Sequence, residues 1–212
     1  ARAVSERGEV VVRRRDDGAV ELRVNGVFVM DTAQTDTERL LARAALDTMA
    51  HPHRVLVGGL GLGFTVRELL DDSRVHSVVV AEIEPAVVDW MRAGTIPGAD
   101  LVCDPRVEIV VADVRDVVAE AAAHSLDAVV LDVDNGPGYL VHEQNAAVYA
   151  AEFLTACRSR LRLGGQLTVW SAAPTPALAA TMTDVFGDSR TRSVAVDLQG
   201  RAESYWLLST TA

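Results

Sequence analysis

Four glycines and a series of acids carry the chemistry of this chain. Gly58, Gly59, Gly61 and Gly63 lie in Val55-Leu56-Val57-Gly58-Gly59-Leu60-Gly61-Leu62-Gly63, which an apolar, helix-like run from Phe64 to Leu70 follows. A glycine turn between a strand and a helix lets backbone approach a nucleotide without Cβ clashes and turns N–H groups at the helix start toward it. About 20 residues beyond the turn, Glu82-Ile83-Glu84 closes the apolar run Val78 to Ala81, where a carboxylate can accept both hydrogen bonds of a ribose diol. Asp113 follows Val107 to Val111, and Asp132 follows Leu126 to Leu131. The carboxyl ends of successive strands are where open α/β sheets bind ligands, so the series points to a nucleoside-bearing cofactor. A glycine turn alone also occurs where a helix merely packs closely on a strand; the acid at the right distance is what favours a ligand.

The elements that must position these groups follow from periodicity. Strands are expected at 54–58, 76–82, 107–111, 126–132 and 165–170, with helices near 62–72, 85–93, 114–123, 143–161 and 175–186. Ahead of them, Glu9 to Arg14, Ala19 to Val24 and Val27 to Met30 alternate like strands, and Asp17-Gly18 and Asn25-Gly26 are tight-turn signals. Thr35 to Met49 reads as a helix that Pro52 ends, with Thr35 as an N-cap facing Glu38. Arg190 to Val196 and Ser204 to Ser209 lack an intervening helix and predict an antiparallel pair at the edge of a parallel sheet. The expected division is residues 1–50, a β-meander plus helix, and residues 51–212, a Rossmann-like cofactor-binding domain.

Composition narrows the function. With 212 residues and 49% hydrophobic content the chain can bury a sizeable core. A net charge of −10 disfavours a nucleic-acid partner, since phosphate contacts need a basic stripe. The only basic cluster, Arg13-Arg14-Arg15, reads as a solvated strand end. An acidic surface suits a cationic small substrate or simply solubility. The sequence has no lysine, which excludes Schiff-base chemistry and a Walker-type phosphate lysine. Cys103 and Cys157 read as packing groups, and His51 and His53 lack a third metal ligand, so no metal is expected. No apolar run has the length of a membrane span, and no signal-like segment opens the sequence, so the expected location is cytoplasmic without membrane association. His124 is read as a helix-end histidine, and Trp90 and Trp206 as packing groups.

Val55 to Leu70, Glu82-Ile83-Glu84-Pro85, Ala112-Asp113, and Asp127 to Asp132 followed by Gly136-Pro137 resemble the polyamine aminopropyltransferases, the spermidine synthase superfamily. The similarity runs over roughly residues 20 to 171. It implies an α/β fold of the class I methyltransferase type and a cofactor that is S-adenosylmethionine or its decarboxylated form. Glu82 would then hold the ribose, Asp113 would lie near the adenine amino group, and Asp132 beside the reacting centre. Members of the superfamily commonly dimerise, so a homodimer is an expected assembly.

The sequence also departs from that pattern. Leu62 stands where spermidine synthases have an Asp for the cofactor's amine, and Leu41-Ala42-Arg43 where they have Tyr-His-Glu. Asn135 replaces an Asp in the loop after the fourth strand, and Trp170 replaces a Gln. The expectation is therefore a group transferase acting on a small-molecule acceptor, cationic in one reading, and not an efficient maker of spermidine from putrescine. In such an in-line displacement a carboxylate orients the nucleophile or takes its proton. Asp132 is the first candidate and Asp134 the second, although Asp134 equally suits an Asx-turn acceptor before Asn135-Gly136-Pro137-Gly138. Tyr139 and His142, beyond this loop, and Trp170, at a strand end, are candidate substrate-binding residues; His142 equally reads as an exposed helix-start residue. The alternatives are an aminopropyltransferase with a rebuilt pocket, an NAD-dependent oxidoreductase and a catalytically silent nucleoside-binding homologue. The antiparallel ending and the lack of a separate substrate domain count against the oxidoreductase.

Overall fold

Short alternating segments joined by tight turns build the first sheet. The computed structural model describes residues 1–212, beginning with β1 (Arg2–Ser5), β2 (Gly8–Arg14), β3 (Val20–Val24) and β4 (Val27–Asp31). They form a four-stranded antiparallel sheet in that order. At the β3–β4 turn Asn25 and Gly26 have φ of 50° and 77°, the positive values that a type I′ turn requires. The polar, four-residue β1 was not foreseen, because it is too short to show a period. Arg13 and Arg15 are also more than a solvated strand end. Arg13 pairs with buried Glu21 at 3.1 Å, and Arg15 holds buried Asp31 at 2.5 Å.

The remaining elements alternate: α1 (Asp36–Leu46), β5 (Arg54–Gly58), α2 (Phe64–Asp71), β6 (Ser77–Glu82), α3 (Pro85–Arg92), β7 (Val107–Val111), α4 (Val114–Glu120), β8 (Leu126–Leu131), α5 (Ala151–Arg160), β9 (Leu161–Ser171), α6 (Pro176–Phe186), β10 (Arg190–Leu198) and β11 (Arg201–Thr211). The second sheet has seven strands in the order β10-β11-β9-β8-β5-β6-β7. Strands β5 to β9 are parallel, and β11 lies antiparallel between β9 and β10, as the missing helix near residue 200 implied.

Period-two alternation sends neighbouring side chains to opposite faces. Val55, Val57, Val78, Val80, Ala128 and Val130 join one core, which also contains Leu41 and Ala45 of α1 and Val10 and Leu22 of the first sheet. Leu56, Val129, Leu131 and Val169 join the other, with residues of α4, α5 and α6. Both faces are covered, which is why these strands read as unbroken apolar runs. Trp90 and Trp206 pack against these cores, as expected.

Several helix boundaries differ from the sequence reading. α1 stops at Leu46, well before Pro52, and the expected capping box is absent: Thr35 makes no side-chain cap bond, and the Glu38 carboxylate accepts the Thr37 hydroxyl instead. The expected helix at 143–161 splits into a 3-10 segment, Glu143–Tyr149, and α5, with the break at the extended Ala150. His124 lies beyond the end of α4 at φ 52°, where its Nδ1 meets the Leu161 carbonyl at 3.0 Å, so the helix-end reading is corrected.

Gly59 is required by geometry. Its φ is +90°, and a Cβ there would stand 2.2 Å from the Asp132 carbonyl oxygen; Gly18, at φ +86°, has open space around the same position. Gly18→Ala should cost about 1–2 kcal/mol for the left-handed conformation alone, and Gly59→Ala roughly 1–3 kcal/mol more for the steric conflict. Urea midpoints at constant m-value measure this; equal losses would contradict the close approach.

Candidate active site at the carboxyl edge of the parallel strands

The carboxyl ends of β5, β6, β7 and β8 open into a cleft of about 1120 Å³, including its mouth. Gly59 and Gly61, then Ala81 to Glu84, then Ala112 and Asp113, then Asp132 to Asp134 line it strand by strand. Leu22, Val24, Val29 and Met30 of the four-stranded sheet also line it, as do Val141, His142, Asn145 and Val148 from the segment after β8. Gly58, Gly63 and Tyr139 are not in the lining. Gly58 ends β5, Gly63 starts α2 at φ +84° packed against Leu101, and Tyr139 is 60% exposed on the loop.

Glu82 combines two duties. Its carboxylate is buried and accepts the backbone N–H of Leu60 and of Glu84, both at 2.8 Å, so it pins the glycine loop while facing the cleft. Burial pushes its pKa upward, and those N–H donors offset only part of the effect. Ile83 lines the cleft beside it. Asp113 caps α4 by accepting the Arg115 N–H at 2.9 Å and also pairs with the Arg115 guanidinium at 2.7 Å. Burial alone would raise Asp113, but the Arg115 bonds outweigh it and hold the carboxyl below the usual range.

Asp132 and Glu38 form the most unusual part of the site. The hydroxyl of Thr65, the second residue of α2, donates to Asp132 Oδ2 at 2.6 Å. Glu38 lies on the buried stripe of α1, 7% exposed, and lines the same cleft. Burial first, and then the negative charge of Asp132, push Glu38 upward; burial does the same to Asp132, partly offset by Thr65. No arginine pairs with either acid at this site.

Asp134, the second catalytic candidate, is fully engaged by its own loop. At φ 57° its carboxylate accepts N–H bonds from Asn135 at 2.7 Å, Val141 at 2.7 Å and His142 at 3.3 Å, and the Asn145 amide at 2.7 Å. This is the arrangement of an Asx-type loop acceptor. His142 lines the cleft, and burial and then nearby Arg7 push its pKa down. Trp170 faces the cleft from the end of β9, 6% exposed, with its ring 4.8 Å from that of Tyr205. Leu62 is buried in the core and does not line the cleft.

Sequence reasoning missed Glu38 and Arg7. Glu38, Leu41, Ala42 and Ala45 share one helical face, and a carboxylate on an apolar stripe was the available signal. Arg7 gave none. It sits between β1 and β2 and reaches the Asn145 side chain at 3.2 Å and Glu84 at 3.5 Å only because the first sheet docks there.

Residues 35–181 match the family model described as spermine/spermidine synthase domain. The chain belongs to this family. Two relatives illustrate how activities spread across the spermine/spermidine synthase family. Putrescine N-methyltransferase 4 of Nicotiana tabacum is 31% identical over 151 residues, covering 70% of this chain and 36% of that protein. The polyamine aminopropyltransferase of Nitrosomonas europaea is 30% identical over 191 residues, covering 84% of this chain and 56% of that protein. The chain therefore spans about a third to just over half the length of these curated relatives. The fold matches that of the spermidine synthase from Thermotoga maritima with a TM-score of 0.87 at 19% identity, over 100% of this chain and 72% of that one. A spermidine synthase in complex with the transition state analogue AdoDATO matches equally well. The Rossmann-like class I methyltransferase arrangement and the superfamily inferred from the motifs are thereby shown.

The raised carboxyl of Glu38 sets a pH dependence. A carboxyl whose folded pKa exceeds its unfolded value contributes stability below the unfolded pKa and loses it as pH rises through the folded one. Glu38→Gln removes that loss. Its stability relative to the parent should therefore increase between about pH 5 and pH 8 in paired urea titrations. A difference independent of pH would contradict the assignment.

Proposed function

We propose that this protein is an S-adenosyl sulfonium-dependent alkyl transferase with a small amine as acceptor. The observation that carries the reading is the order of groups along one edge: the glycine turn, Glu82, Asp113 and, facing the cleft beside them, a half-buried Asp132 without a cation. The donor set fits an S-adenosyl group. Glu82 keeps acceptor capacity for a ribose diol beyond the two N–H bonds it already makes, since each carboxylate oxygen has two acceptor sites. Asp113 and the apolar Ile83 suit the base, and Gly59 and Gly61 leave backbone open at the cleft surface. Bound there, the cofactor supplies an electrophilic carbon on sulfur. The protein's part is to orient a nucleophile, accept its proton and keep water out.

Asp132 is the group assigned to orient the acceptor, with Thr65 fixing its rotamer. Asp134 supports the loop that carries His142, and His142 and Trp170 contribute walls. Acids without a cation at the cleft, Glu38 buried and Asp132 half-buried, favour a positively charged acceptor, in keeping with the amine named in the putrescine N-methyltransferase relatives. Methyl transfer fits better than aminopropyl transfer, because Leu62 is buried in the core and offers no partner to the amine of a decarboxylated cofactor. A cytoplasmic setting and a homodimer accompany this reading as proposals; no helix is long and apolar enough to cross a membrane.

Calorimetric titration with S-adenosylmethionine, its decarboxylated form, S-adenosylhomocysteine, methylthioadenosine and NAD tests the proposal. The S-adenosyl ligands should bind and NAD should not; the reverse pattern would remove the transferase reading. Glu82→Gln, which retains an amide oxygen for one of the two backbone donors, should weaken S-adenosylhomocysteine binding by about 1.5–3 kcal/mol. Unchanged affinity in the folded variant would show that Glu82 does not hold the ribose.

A further inference from the structure

One charged side chain reaches the cleft from the first sheet. Arg7 stands in the turn between β1 and β2 and lines the cleft together with Glu84, Asp113 and Asn145. The turn that carries it is held firmly. The Arg7 N–H bonds to Ser5 Oγ at 3.1 Å, and the Asn25 amide donates to the Arg7 carbonyl at 3.2 Å. Gly8 follows at φ +111°, where a Cβ would overlap the Asn25 side chain. The Ser5 hydroxyl in turn donates to Glu84 at 3.3 Å, which fastens the turn just beyond the end of β6. The guanidinium is less well served. Its Nη2 donates to Asn145 at 3.2 Å, whereas Nε is buried 3.5 Å from Glu84 without a hydrogen bond. A guanidinium carries five N–H donors, so most of these have no acceptor in the protein. Asp113 is in the opposite condition. It accepts four contacts from Arg115, between 2.7 and 3.1 Å, about as many as a carboxylate can take. This end of the cleft thus holds a committed acceptor and an uncommitted donor.

Resting on the transferase reading above, we infer that Arg7 is a specificity-determining residue for the cofactor's base, its guanidinium donating a hydrogen bond to a ring nitrogen of the adenine. The unsubstituted ring nitrogens of adenine carry lone pairs and no hydrogen, so each needs a donor. Arginine has donors only, in a rigid planar fork, and keeps its charge at any working pH. A hydrogen bond from a charged donor is also stronger than one between neutral groups. Asp113 and His142 both feel the charge of Arg7, so it lies near the end of β7 as well as that of β6. The ribose hydroxyls are donors that Glu82 is placed to accept, which leaves the base as the part of the nucleoside that Arg7 complements. A buried donor without a partner is uncommon in folded proteins, and a ligand acceptor completes it here. The first sheet then supplies more than the apolar wall of Leu22, Val24, Val29 and Met30. It also reads the base.

The test titrates S-adenosylhomocysteine and its 1-deaza, 3-deaza and 7-deaza analogues, each lacking one ring nitrogen, into the parent, Arg7→Met and Asn145→Ala. In the parent, one deaza analogue should bind about 10- to 150-fold more weakly than S-adenosylhomocysteine, the range for a hydrogen bond to a charged group. In Arg7→Met, S-adenosylhomocysteine should weaken by a similar factor, and that analogue should lose nothing further. Asn145→Ala removes the loop partner but keeps the guanidinium, so the preference should persist. A parent that binds all four ligands alike overturns the inference and leaves the cofactor reading intact. An equal loss for all four in Arg7→Met shows that Arg7 only supports the fold of the site, and overturns it too. The same holds if the preference survives in Arg7→Met and disappears in Asn145→Ala, which would assign the contact to the loop. A parent that binds no S-adenosyl ligand removes the transferase reading and this inference with it.

Discussion

The site depends on one close approach of backbone to backbone. Beyond β5 the chain passes so near β8 that only a glycine fits at position 59, and the ladder continues on both sides to its last residue: Asp132 N–H bonds to the Gly58 carbonyl at 2.9 Å, and Gly59 N–H to Ala81 at 2.8 Å. Glu82 and Asp132 therefore leave the sheet on either side of the glycine loop. Glu82 ties that loop down from one side, and α2, starting at Gly63, presents Thr65 to Asp132 on the other. A shift of either neighbouring strand would separate the acids from the loop, so sheet register and site chemistry are fixed by the same hydrogen bonds.

Against that rigid edge the protein keeps two acids without a cation, Glu38 buried and Asp132 half-buried. The chain carries a net charge of −10, and its surface pairs acids and arginines widely, as in Arg67 with Asp100 or Arg74 with Asp72. Such exposed pairs contribute little. Glu38 and Asp132 belong to a different electrostatic regime. Glu38 buried, Asp132 partly so, and neither with a cation, they stabilise the fold less than an apolar filling would, and strain of this kind concentrates at functional sites.

What could be read from the sequence follows the range of the interactions involved. β5, β7 and the antiparallel ending were legible because period and turn chemistry are local, and Glu82, Asp113 and Asp132 because a parallel sheet places every strand end on one edge. Asp134 stayed ambiguous in sequence, since its role depends on where Val141 and Asn145 return to meet it. Glu38 stands three residues after Thr35, which in sequence marks a capping partner; its actual environment comes from Asp132, 94 residues further on. Arg7 depends on docking between two sheets and left no trace in spacing.

The walls of the cleft also divide along the chain. Gly59, Glu82, Asp113 and Asp132 lie inside the 35–181 segment that matches the family, whereas Phe28, Met30, Leu198 and Tyr205 lie outside it. The glycine loop and its acids are set by the register of the parallel strands, whereas these other walls come from the first sheet and from the antiparallel strands β10 and β11. Substitutions in those walls reshape the space beside Trp170 and leave the parallel strand ends in place. Such a division lets the far wall of the cleft change shape independently of the loop and acids that the parallel strands hold.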